Sequence, residues 1–193
     1  MSLNPNPEIS EVYFFGQIEG ASNMQEGGDA IFVEYDFQFG DNWTMKSDGK
    51  RKETQCGYVD EQDFVCFAHP FNAHFSTSSY FGWPKLVCRV WKLDETDTVD
   101  LIAYGTLNLP MNKGFHKMEF DTWVLHGNRE QEAKSYFLDS KPNMNSIDPV
   151  ANKLDYRAIL VTKPGPKIHV NIEVMLRNFK RNRQTLVVAK KEK

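Results

Sequence analysis

Two stretches of this chain alternate apolar and polar residues with a period of two, and that pattern constrains the fold more than any other feature. In AIFVEYDFQFG, Ile31, Val33, Tyr35, Phe37 and Phe39 share one face, while Glu34, Asp36 and Gln38 share the other. In KIHVNIEVMLRNF, Ile168, Val170, Ile172, Val174 and Leu176 face inward, leaving His169, Asn171, Glu173, Met175 and Arg177 outward. Side chains alternate across a strand, so each stretch reads as a strand with one dry and one wet face. Antiparallel sheets carry that signature, whereas parallel sheets are usually buried on both faces.

The rest of the chain follows the same logic. A first strand is expected from Ile9 to Ala21, with Gly16 as a candidate bulge. Shorter apolar runs follow at Cys56 to Val59, at Phe64 to Ala68, and at Phe71 to Phe75 after His69-Pro70. Pro70 belongs at an edge, a strand start or a turn, because it cannot donate to a ladder. From Phe81 to Pro110 the chain reads as turn, strand, acidic loop and second strand, the last running from Leu101 to Leu109. Lys113-Gly114 then turns the chain into the strand HKMEFDTWVL. One segment looks helical: Asn128 can cap Arg129 to Leu138, with Ala133, Tyr136 and Phe137 as an apolar stripe. Residues 140–152 form a Pro/Asn-rich excursion. A strand from Asp155 to Thr162 leads through Lys163-Pro164-Gly165-Pro166, read as a turn, into the last strand. Eight or nine strands and one short helix, with no internal repeat, point to an all-β fold: an antiparallel β-sandwich.

At 193 residues the chain suits one domain with a full core. We divide it into a loose lead-in at 1–8, a domain at 9–179 and a basic tail at 180–193. The net charge of −3 argues against a dedicated nucleic-acid binder, whose affinity rests on phosphate neutralisation. Charge is unevenly spread. From Arg177 onward seven basic residues face Glu192 alone, giving +6, while 16 basic and 25 acidic groups elsewhere give −9. Within the tail, Lys180, Arg181, Arg183, Lys190 and Lys191 are candidates for contact with an anionic membrane, at about 1 kcal/mol per basic group near the surface. The bland alternative is a solvated terminus. The opening MSLNPNPEIS lacks the charge and apolar run of a signal peptide, and Cys56, Cys66 and Cys88 fit a reducing compartment. An intracellular, soluble protein is the expectation.

Catalytic signatures are missing from the sequence. There is no Gly-x-Ser-x-Gly elbow, no phosphate-cradling glycine loop, and no His-x-x-x-His or Cys-x-x-Cys pair. No enzyme and no cofactor are therefore expected. The acidic loop is the one metal candidate, since Asp94, Asp97 and Asp100 could supply three oxygen ligands. Calcium wants about six to eight, usually from more than one loop, and no second Asp-rich loop is visible. A solvated hairpin loop, rich in Asp and Thr because they hydrogen-bond locally, is the stronger reading. Aromatics exceed what one core needs: Phe32, Val87 and Trp91 sit opposite the inward residues, so a second face is covered or meets a partner.

Val90-Trp91-Lys92-Leu93-Asp94, a loop, then Asp100 to Gly105 resembles the third calcium-binding loop of C2 domains. Lys92 stands where that pattern has its first aspartate, which puts a cation at a ligand position. A broader resemblance spans residues 16–179. Gly16-Gln17-Ile18-Glu19-Gly20-Ala21-Ser22, Gly82-Trp83-Pro84, Ala103-Tyr104-Gly105, Leu109-Pro110, Gly114-Phe115-His116, Arg129-Glu130-Gln131 and Leu176-Arg177-Asn178-Phe179 together resemble the B9-domain family, most closely its domain-only members. Met111-Asn112-Lys113-Gly114 departs from the family's Ser-Pro-Gly turn but keeps the glycine.

That resemblance implies a non-enzymatic, C2-like β-sandwich of the ciliary transition zone and basal body. Its implied role is to bind sister B9-domain proteins in a hetero-oligomeric complex needed for cilium assembly and for gating protein entry. The alternative is a calcium-independent C2-like domain at an anionic membrane. Among the motif residues, Gly82, Trp83, Pro84, Tyr104, Gly105, Pro110, Asn178 and Phe179 are expected to be structural, with Trp83 anchoring its loop on the core.

Overall fold

The computed structural model describes residues 9–24, 30–47, 51–126 and 161–179, and within them every regular element of any length is a strand. There are nine: β1 (Ser10–Ser22), β2 (Ala30–Gln38), β3 (Trp43–Met45), β4 (Lys52–Glu53), β5 (Phe64–Thr77), β6 (Lys85–Leu93), β7 (Val99–Asn108), β8 (Gly114–Leu125) and β9 (Thr162–Arg177). All pair antiparallel in one sheet of order β3-β5-β1-β9-β8-β7-β6-β2-β4. The helix expected over 129–138, the 140–152 excursion and most of the 155–162 strand lie outside the described residues.

One sheet makes two layers because it bends between two long strands that are thinly paired. Among the described residues β7 meets β8 through only two pairs, Tyr104 with Trp123 and Gly105 with Thr122. On one side lie β3, β5, β1, β9 and β8; on the other lie β7, β6, β2 and β4. The layers then close face to face, as in a sandwich. The Tyr35 and Phe37 rings of β2 reach Phe71 of β5 at centroid distances of 6.1 and 5.9 Å, and Phe37 also reaches Phe75 at 6.0 Å. Phe14, Ile18, Phe67, Leu86, Ile168 and Ile172 fill the space between, all buried. The alternations of β2 and β9 place their apolar sets there, with Ile31, Val33, Tyr35 and Phe37 inward on one side and Ile168, Val170, Ile172 and Val174 on the other.

Three local readings need correction. The bulge of β1 is not at Gly16, whose pairings with Phe71 and Ile172 are regular; the register shifts between Ile18 and Gly20. Gly16 is needed for space, since a Cβ there would sit 2.3 Å from the Phe71 ring. The runs on either side of His69-Pro70 are one long strand, β5, with Ala68 at φ 48° absorbing the extra residue opposite the β1 bulge. Pro70 pairs with Gln17 on one side only, because β3 covers no more than Phe75 to Thr77. Lys163-Pro164-Gly165-Pro166 is likewise strand rather than turn: β8 pairs with this part of β9, whereas β1 joins only from Lys167 onward. Prolines are tolerated where one side of the ladder is open.

On the second face, Phe32 stacks on Trp91 at 6.4 Å. Val87 and Tyr104 are buried away from the main core, with Leu101, Trp123 and Leu125 packed against them. Tyr104 stacks on Trp123 at 5.0 Å, beside the β7–β8 junction. Gly105 holds the same junction from the core side. A Cβ there would meet Cys88 Sγ at 2.7 Å, Phe120 Cε2 at 2.8 Å and Thr122 Cγ2 at 3.0 Å. Gly105→Ala therefore overpacks the bend, with an expected loss of about 1–3 kcal/mol in denaturant unfolding. An unchanged unfolding midpoint would show that the two layers can part there without cost.

Candidate functional site

The acidic loop between β6 and β7 spends its first aspartate on itself. Asp94 Oδ1 accepts from Thr96 N at 2.8 Å, Thr96 Oγ1 at 2.8 Å and Thr98 N at 2.9 Å, while Asp94 N donates to Thr98 O. These bonds, led by that from Thr98 N and that from the Thr96 hydroxyl, hold the carboxyl below its usual range. Asp97 sits at φ 60°, the left-handed conformation that Asp tolerates in tight turns. Asp100 lies opposite Lys92 across the β6–β7 ladder. Among the described residues no three His, Cys, Asp or Glu side chains group as metal ligands. Asp94, Asp97 and Asp100 are thus not brought together.

The turn before β6 is a packed corner in which three of the motif segments meet. Gly82 takes φ 76°, and a Cβ on it would lie 2.6 Å from the Gly40 Cα, so two backbones touch where only glycine fits. Gly40 N donates to Gly82 O at 2.9 Å. Trp83 packs edge-on against Trp43 at 5.0 Å and Phe14 at 6.3 Å, and its Nε1 donates to Leu109 O at 3.0 Å. Pro84 O accepts from Leu109 N at 3.4 Å, which ties the turn to the strand end just before Pro110. Phe179 closes the other side, 6.2 Å from Trp83 and 5.4 Å from Tyr80, whose hydroxyl donates to Phe179 O. Asn178, at φ 63°, donates from Nδ2 to Ile9 O. Phe81 is the exception: its carbonyl accepts from Trp43 Nε1, but its ring is 82% exposed.

Two arrangements were not anticipated from the sequence. Glu34, on the outward face of β2, is buried, and its carboxylate takes Trp91 Nε1 at 2.9 Å, Arg89 Nη1 at 3.4 Å and the Arg51 guanidinium. A buried carboxylate needs such partners, and two cations with an indole satisfy it. Asp36, two residues on, has its pKa raised by burial against the opposing pull of the Phe37 amide and Arg89. The alternation EYD gave the face but not its cover. The second arrangement is on the other layer, where Phe15, Phe115 and Met175 stand exposed on the outward side of β1, β8 and β9. Parity alone placed Met175 and Glu173 outward; which residues flank them depends on pairing between distant strands.

Elsewhere among the described residues, burial shifts three titratable groups. Burial lifts the Cys88 thiol to about 12, against a weaker lowering by the Gly105 amide, and holds it neutral. Tyr35 is lifted to about 12 by burial, and its hydroxyl lies 3.1 Å from His69 Nε2. His69 is itself lowered by burial and by Lys52. The basic candidates Lys180, Arg181, Arg183, Lys190 and Lys191, like the Arg129-Glu130-Gln131 motif, lie outside the described residues.

Comparison with known proteins finds relatives over most of this chain. B9 domain-containing protein 2 of rat and of human are each 30% identical to it over 173 residues, covering 90% of this chain and 97% of theirs. B9 domain-containing protein 1 of mouse is 22% identical over 149 residues, covering 76% of this chain and 72% of its own. Among solved structures, a C2 domain of a plant extended synaptotagmin superposes with a TM-score of 0.43 at 11% identity, covering 84% of this chain and 92% of that one. The family model for ciliary basal body-associated B9 proteins matches residues 12–175, from the start of β1 to near the end of β9. The chain belongs to that B9-C2 family.

Proposed function

We propose that this protein is a non-enzymatic assembly subunit at the ciliary transition zone and basal body, binding sister B9-type domains in a complex that supports cilium assembly and gates protein entry. The observation that carries the reading is the family match across the whole nine-stranded sheet, 12–175, to proteins described as basal body-associated. The surface fits this role. The two most closely hydrogen-bonded carboxylates are committed to structure, Asp94 to its loop and Glu34 to Arg51, Arg89 and Trp91. Exposed rings such as Phe81 and Phe115 offer contact area instead. Sheet faces and edges are the usual contact elements of such a domain.

A second reading, a calcium-independent peripheral membrane domain, is favoured by one observation: the seven basic residues against one acid from Arg177 onward. Vesicles containing phosphatidylserine decide it. Under that reading, removal of residues 180–193 abolishes co-sedimentation, and raised salt weakens it in the intact chain. If truncation leaves sedimentation unchanged, the tail does not bind lipid.

The assembly reading predicts stoichiometric binding of the full chain to at least one sister B9-type domain by titration calorimetry, with a Kd of about 1 μM or tighter. No heat of binding with any sister domain would overturn it.

A further inference from the structure

The outward face of the first layer carries an apolar patch with a single carboxylate at its centre. Strand register fixes the arrangement. One row runs Asn72, Phe15, Glu173 and Phe115 across β5, β1, β9 and β8. Its neighbour includes Tyr13 and Met175, paired across β1 and β9. Phe15, Phe115 and Met175 are 44%, 69% and 50% exposed. Tyr13 stacks parallel to Phe15 at 6.4 Å, so the rings form a platform rather than scattered projections.

Glu173 stands between Phe15 and Phe115, with a strand spacing of about 5 Å to either side. Other acids on this face are matched: Glu11 with Arg177 at 3.3 Å, Glu19 with Lys117 at 3.6 Å, and Glu119 with Lys167 at 3.3 Å. Glu173 is exposed, and its carboxylate has no hydrogen bond or ion pair among the described residues. A partner that covers the patch must therefore supply a cation, because burying this carboxylate unpaired would oppose binding. An arginine fits the geometry. Its guanidinium, placed over Glu173, lies within about 6 Å of both flanking rings and can stack on them while pairing with the carboxylate. Anionic lipid and nucleic acid are repelled by the same carboxylate. A second copy centred on the patch, with the two-fold axis passing through Glu173, sets Glu173 against Glu173.

We propose that this face is the docking surface for a sister B9-type domain, which inserts an arginine between Phe15 and Phe115 to pair with Glu173. The inference rests on the assembly reading above and locates its contact.

The test is calorimetry of the full chain with the sister domain at low and high salt, using Glu173→Gln, Glu173→Arg and Phe115→Ala. The substituted side chains are exposed, so unchanged melting temperatures are expected. Glu173→Arg is expected to weaken binding by at least about 30-fold, the scale of a central interface residue. Glu173→Gln should weaken it less but remove most of its salt dependence, and Phe115→Ala should cost about tenfold. Should Glu173→Arg fail to fold, the isosteric Gln variant and Phe115→Ala decide the matter. Wild-type affinity and salt dependence retained in these variants would overturn the docking face while leaving the assembly reading intact. Absence of binding by the wild-type chain overturns both. A loss seen instead in self-association or in vesicle binding, with sister-domain binding unchanged, overturns the proposed occupant.

Discussion

The rings of Tyr35 and Phe37 meet those of Phe71 and Phe75 across the core at 5.9 to 6.1 Å, and the architecture depends on that contact. The strands that carry them, β2 and β5, each lie second from an end of a nine-stranded sheet. They can meet only if the sheet folds over, which it does at the two-pair junction between β7 and β8. Burial of these aromatics supplies the drive, since each removes a large apolar area from water. Once the layers are closed, each strand's alternation assigns the remaining side chains to the core or to an outward face.

The two outward faces then diverge. On the second layer, Val87 and Tyr104 are buried, and Glu34 is neutralised by Arg51, Arg89 and Trp91. On the first, Phe15, Phe115 and Met175 stay in contact with water around Glu173, whose carboxylate has no partner among the described residues. A chain that satisfies one buried carboxylate with two cations and leaves another bare amid exposed rings presents two different kinds of surface. The second layer's face is satisfied within the fold. The first layer's face has the exposed apolar area and unmet charge on which the proposed docking rests.

What the sequence could show follows from range. Alternation is local, so the strand character and faces of β2 and β9 were legible from Ile31, Val33, Tyr35 and Phe37 and from Ile168 to Val174. Glycine and proline were less legible because their meaning depends on neighbours. Gly16 signalled a bulge but makes room for Phe71, and Pro164 and Pro166 signalled a turn but lie in a ladder open on one side. Pairing of distant strands was not legible at all. Phe15, Glu173 and Phe115 are neighbours only because β1, β9 and β8 pair in that order, and nothing within a few residues of any of them reports it. The motif segments were recognisable, yet the corner that joins Gly82, Trp83, Leu109 and Phe179 required the folded chain.

The acidic loop illustrates the same division. Its sequence resembles the third calcium-binding loop of C2 domains with Lys92 in place of the first aspartate, while the fold uses Asp94 to cap its own loop through Thr96 and Thr98. The proposed function accordingly rests on surfaces, since Asp94 is committed to its own loop. A structure of the full chain bound to a sister B9-type domain tests that claim most directly. The account predicts that β1, β8 and β9 face the partner, with an arginine over Glu173 between Phe15 and Phe115. A complex in which that row remains open to solvent would contradict it.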